Sequence, residues 1–250
     1  MKEPEKIYDD DFAVLSTEKL QDFNKEFIGH TKRKFEEFKK IFGVEKLPKL
    51  NFVLFDDLDE YRNYRRENDK AEPPVYSRGC YYKDTAVLVI DKLPEVGTKD
   101  FYSKRAYGAH EGFHVYYRDL VYKNPDERVI WFDEGLAQYF SGEKDYLDKK
   151  QFENYYSKFR QNYKPITNLN DRKQGNSSVP DDEIFQRKGV IEGYAISYLA
   201  VRYLAETKGI DFIKSIMHDR SKILELGNTI SEEMIKYYDE KILETEFDER

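Results

Sequence analysis

An α+β fold is predicted for this chain of 250 residues: a small N-terminal mixed sheet with helices, followed by a mainly helical lobe, with a motif-bearing helix between them. Three observations predict it. Short strand-like runs are confined to the first part of the chain; from about Phe101 onward apolar residues recur at helical spacings; and no internal repeat, low-complexity tract or Pro/Gly/Ser linker divides the sequence. The expectation is one domain over 1–250, with a sheet-containing lobe at about 1–100 and a helical lobe at about 101–250.

The elements follow in order. Over residues 17–42, Leu20, Phe23, Phe27, Phe35, Phe38 and Phe42 fall on one helical face, and the opposite face is Lys and Glu. Ser16 is placed to cap this helix and Gly43 to stop it. The basic and acidic run Lys32–Lys40 reads as its solvated side. Leu50–Phe55 reads as a strand, Leu58–Arg66 as a helix, and Thr85–Ile90 as a buried strand preceded by a turn at Lys83-Asp84. Helices are then expected at 101–119, 132–141, 149–162, 189–207, 211–218 and 231–244. Lys164–Lys188, rich in Asn, Asp, Gly, Ser and Pro, reads as a long surface loop.

Composition narrows the function. Forty-two basic and 49 acidic side chains give a net charge of −7 and are spread along the chain, so there is no electrostatic footprint for nucleic acid or anionic membrane. With 21 Tyr and 17 Phe, the core is expected to be built from rings. Cys80 is the single cysteine, which excludes an internal disulfide and a cysteine-based metal cluster and leaves His, Asp and Glu as metal ligands. The sequence as given opens on polar residues without a signal-type apolar segment, and no run approaches the roughly 20 apolar residues of a membrane span. A soluble protein is expected, cytoplasmic or secreted with a signal already removed; the oligomeric state is left open.

His110-Glu111-Gly112-Phe113-His114 is an H-E-x-x-H sequence. On a helix the two histidines stand one turn apart on one face and can share one ion. Glu111 then lies beside the metal, where a carboxylate can take a proton from water and pass it to a leaving amine. A catalytic zinc needs a third protein ligand and keeps a fourth position open. Glu134 is the leading candidate, because Trp131–Phe140 reads as a second helix start, separated from the first helix by a turn at Asn124-Pro125. Two antiparallel helices joined in this way would return Glu134 to the histidines. Asp133 and Gln138 are the polar neighbours that could orient the ligands. His30 and His218 lack partners at ligand spacing and read as ordinary core or surface residues.

At these residues the chain resembles the gluzincin metallopeptidases, and more closely the bacterial peptidase MA-like group. The shared features are an N-terminal helix and strand such as KFEEFKKIFG and NFVLF, then H-E-x-x-H, a W-x-x-E-G-L-A-x-Y-like segment, and a late helix carrying Tyr194, Tyr198 and Tyr203 before Gly209. The resemblance implies one zinc ion per chain, held by His110, His114 and Glu134, with Glu111 as general base and a peptide or protein as substrate. It also implies that Tyr194 donates a hydrogen bond to the oxyanion, the alternative for Tyr194 being simple packing. Two departures stand out. The G-x-M-E-N sequence that reads a free amino terminus is absent, which favours an endopeptidase, and the Glu-x-x-x-Asp of thermolysin-like enzymes is here Glu134-x-x-x-Gln138. In such folds the sheet's edge strand pairs with extended substrate, so Tyr81–Ile90 would flank the cleft, or else be plain core. The competing function is a non-catalytic binding protein that uses zinc to pin its helices.

Overall fold

The computed structural model describes residues 4–69, 73, 77–124, 127–162, 166 and 183–244. Five strands form one mixed sheet: β1 (Glu5–Asp9), β2 (Ala13–Ser16), β3 (Asn51–Phe55), β4 (Gly79–Tyr82) and β5 (Thr85–Val89), in the order β1-β2-β3-β5-β4. The pairs β2/β3 and β3/β5 are parallel, and both outer pairs, β1/β2 and β4/β5, are antiparallel. The α+β class expected from the sequence is thus observed.

The helices are α1 (Gln21–Phe42), α2 (Leu58–Asp69), α3 (Lys99–Arg105), α4 (Tyr107–Tyr117), α5 (Ile130–Ser141), α6 (Lys149–Asn162), α7 (Glu183–Lys208), α8 (Ile210–Ile216), α9 (Arg220–Thr229) and α10 (Ser231–Glu244). A five-residue π-helical segment, Arg118–Tyr122, continues from α4.

Two compact units are distinguished: Met1–Tyr116 with Phe140–Glu143, and Tyr117–Tyr139 with Lys144–Arg250. In the first, strand alternation sends Phe52 to one face of the sheet, where it meets Phe12, Phe27 and Phe35 at ring separations of 5.6, 5.5 and 6.3 Å. The other face carries Val53, Phe55, Val87 and Val89 packed around Tyr61 of α2. Strands buried on both faces are the usual condition of parallel pairs. The second unit is helix on helix. Tyr238 is fully buried between Phe152 and Tyr156, and its hydroxyl donates to the Leu199 carbonyl at 2.7 Å. Both cores are built largely from rings, as the composition predicts.

Gly43 ends α1 in the left-handed region at φ 67°, its N–H bonded to the Lys39 carbonyl. Ser16 does not cap α1. It ends β2, its hydroxyl donates to Asn24 Oδ1 at 3.0 Å, and a single 3-10 turn, Glu18–Leu20, leads into the helix. The expected helix over 101–119 is two, α3 and α4, divided at Ala106. The loop expected over Lys164–Lys188 does not include residues 183–188, which are helical in α7, and Ile166 is buried with its N–H on the Gly227 carbonyl at 2.9 Å. Residues 164, 165 and 167–182 lie outside the described residues, as does Pro125 of the expected Asn124-Pro125 turn. Among the described residues no helix is long and apolar enough to cross a membrane.

Candidate metal centre

Two glycines seat α4. A β-carbon on Gly112 would come within 2.7 and 2.8 Å of the Phe35 ring, and one on Gly108 within 2.7 Å of Thr31 Oγ1. Carbon atoms do not approach that closely, so only glycine lets α4 lie this deep on the ring face of α1. Each helical residue turns about 100°, so His110 and His114, two positions beyond the glycines, face about 200° away from that contact. The apolar seat therefore aims the polar face.

His114 is buried, and its Nε2 lies 3.1 Å from Nε2 of His110, the two rings meeting edge to face. The Tyr81 ring of β4 stacks at 6.4 Å from the His114 ring. Glu111 faces the same strand: a β-carbon on Gly79 would stand 2.5 Å from Glu111 Oε1. Of the two expectations for Tyr81–Ile90, plain core describes Thr85–Val89, an inner strand between β3 and β4, while Tyr81 belongs to Gly79–Tyr82, the strand at the end of the sheet order that touches the motif.

Glu134 sits on α5 at 4% exposure, beside the fully buried Trp131, Phe132 and Asp133. Gly135 is again a point of close approach, since a β-carbon there would strike the Ser197 backbone and Val201 of α7. Arg128 grips the start of this helix. Its Nε donates to Asp133 and its Nη2 to Glu134 Oε1 at 3.1 Å. Gln138 donates to the carbonyls of Tyr194, at 2.8 Å, and of Glu134, at 3.3 Å. Tyr194, half-buried on α7, is thus tied through its backbone to α5.

One ligand atom from each of His110, His114 and Glu134 lies within 4.8 Å of the others, and this group could hold a metal ion. Comparison with protein-family models, curated proteins and solved structures gives no match.

Two neighbours of the candidate ligand residues were not anticipated from sequence. Glu143 Oε2 lies 2.8 Å from Nδ1 of His110. Beside it the Tyr107 phenol is held well above its ordinary pKa, first by burial and then by the Glu143 carboxylate. Arg128 is the second neighbour; its place five and six residues before Asp133 and Glu134 was the available signal. His30, expected as an ordinary core or surface residue, is buried in α1, its Nε2 2.7 Å from the Ser141 carbonyl. A carbonyl only accepts, so His30 carries its proton on Nε2. Burial lowers its pKa to about 4, keeping the ring neutral. His218 is exposed, as expected.

Proposed function

We propose that this chain is a zinc-dependent metallopeptidase that cleaves within peptide chains. The observation carrying the reading is the grouping of His110, His114 and Glu134 on helices whose intervening residue, Glu111, is an additional carboxylate. The donor set supports zinc. Two imidazole nitrogens and one carboxylate oxygen with no thiolate make a catalytic type of site, and nitrogens bound at 2.0–2.1 Å to a tetrahedral ion would stand about 3.3 Å apart. The Nε2 atoms are 3.1 Å apart.

When bound, zinc supplies a Lewis acid that polarises the scissile carbonyl and acidifies water. The residues do the remainder. His110, His114 and Glu134 hold the ion; Glu111 takes a proton from the attacking water and delivers it to the departing amine. Tyr194 donates to the oxygen on which negative charge develops. The substrate lies along β4, whose Gly79 admits the close approach of the Glu111 carboxylate and whose Tyr81 stacks on His114. The absence of a G-x-M-E-N sequence favours internal cleavage over removal of single amino-terminal residues.

Digestion of a peptide library by the zinc-loaded protein, with and without chelator, tests this reading. Glu111→Gln is expected to keep its zinc and lose roughly 10²–10⁴-fold or more in turnover. Hydrolysis at the wild-type rate by that variant would remove Glu111 as the base. A library left uncut by the zinc-loaded wild type would make the chain a zinc-stabilised binding protein instead.

A further inference from the structure

The turn that follows α5 connects a buried histidine to a metal ligand. His30 donates from Nε2 to the Ser141 carbonyl at 2.7 Å. Gly142 then reverses the chain at φ 74°, a conformation glycine adopts without strain. Glu143 follows, with Oε2 2.8 Å from Nδ1 of His110. All the parts are enclosed: His30 is 6% exposed, Ser141 is fully buried, and the side chains of His110 and Glu143 are 14% and 12% exposed. Phe140, just before the turn, stacks on Phe113 of the motif at 5.5 Å, so the segment is fixed from the apolar side as well.

An imidazole can give its Nε2 lone pair to a metal only if its proton resides on Nδ1, and a carboxylate beside Nδ1 favours that tautomer. Gln138, four residues after Glu134, is an amide that donates to the Glu134 and Tyr194 backbone carbonyls. Glu143 is the acidic group that the structure sets at His110. We infer that His30 is a positioning residue for the metal ligand His110, acting through the Ser141-Gly142-Glu143 turn to keep the Glu143 carboxylate at Nδ1. His30 suits this task because it is neutral and has one fixed donor over the whole range in which a histidine can bind metal. Its distance along the sequence from the motif explains why no local pattern marks it. The inference rests on the metal-binding part of the proposed function and does not require peptide hydrolysis.

Two readouts test it on the full-length chain. The first is the ¹⁵N spectrum of the imidazoles in metal-free protein, where four histidines are assignable by single substitution. The second is zinc affinity by competition with a chromophoric chelator. Wild type should show His110 as the Nδ1–H tautomer. His30→Leu and Glu143→Gln should each move that resonance towards a tautomer mixture and weaken zinc roughly 10–100-fold. The double variant should be no weaker than Glu143→Gln alone, because one residue acts through the other. His30→Gln, which retains a neutral donor, should restore most of the affinity. Gly142→Ala, which strains the turn while leaving His30 in place, gives the same direction of change should the leucine variant not fold. An unchanged His110 resonance and affinity in both His30→Leu and Gly142→Ala would overturn the inference, as would losses that multiply in the double variant. A chain that binds zinc, responds in this way and cleaves no peptide would refute the peptidase reading and leave this one standing. If wild type took up no zinc, the tautomer of the metal-free protein would still decide.

Discussion

Where α4 bears His110 and His114, its seat is made of the rings and hydroxyl of Phe27, Phe35 and Thr31, received by Gly108 and Gly112. Where α5 bears Glu134, a countercharge is set into an otherwise apolar helix: Arg128 holds Asp133, which has no exposed surface, and Glu134, which has almost none. The difference follows from the ligands themselves. A neutral imidazole needs direction, and close packing supplies direction. A buried carboxylate needs a countercharge, and without one its desolvation would dominate. The two helices should therefore fail for different reasons, one through volume and the other through charge.

The largest effect is expected at Arg128. Arg128→Met takes the guanidinium from a fully buried aspartate and should cost about 3–5 kcal/mol in urea unfolding, while adding Asp133→Leu should recover most of it, since an apolar pair tolerates burial. An unaltered unfolding midpoint for Arg128→Met would show that charge does not seat α5.

Next is the pH dependence carried by His30 on the packing side. Its pKa is about 4 in the folded chain against 6.5 for an ordinary imidazole. The unfolded chain thus takes up the proton first as pH falls, and stability present above about pH 6.5 is lost progressively towards pH 4. Its ceiling is about 3 kcal/mol. Urea titrations at pH 7 and 4.5 should show His30→Gln losing this slope, and an identical slope in both proteins would assign it to other groups.

The smallest effect separates glycines by their surroundings. Gly112→Ala should cost about 1–3 kcal/mol by overpacking against Phe35. Gly29→Ala, within α1 and in ordinary contact with Arg33 at 3.8 Å, should instead stabilise by about 0.5–1 kcal/mol. Equal shifts in melting temperature would mean that helix propensity, and not the close approach to α1, governs both.

The same contrast explains what the sequence could disclose. The Phe periodicity of α1, its stop at Gly43, and the spans 149–162 and 231–244 are local patterns, and the structure has α6 and α10 at those bounds. β1 and β2 escaped notice because they are five and four residues long, and the exposed β1 has no apolar face to read. α9 escaped too, with only Ile223 and Gly227 buried. Ser16 looked like a helix cap because the strand before it is too short to advertise itself. At the site, H-E-x-x-H was legible because its partners are four residues apart, and the neighbourhood of Glu134 because Trp131–Phe140 is a strong helical pattern. Glu143 and His30 were not, since their relation to His110 arises only when the turn after α5 meets α1.

The β4 strand carries a further consequence. Its alternation directs Gly79 and Tyr81 to Glu111 and His114, while Cys80 and Tyr82 pack with the cluster around Tyr61. The two-residue turn at Lys83 and Asp84, with Lys83 at φ 49°, fixes which set faces which way. One inserted residue would exchange the faces, bringing a thiol and a phenol to the motif and leaving the Tyr61 cluster a glycine. In that sense the hairpin is an address label: its length, rather than any residue it contains, decides which chemistry is delivered to the helix.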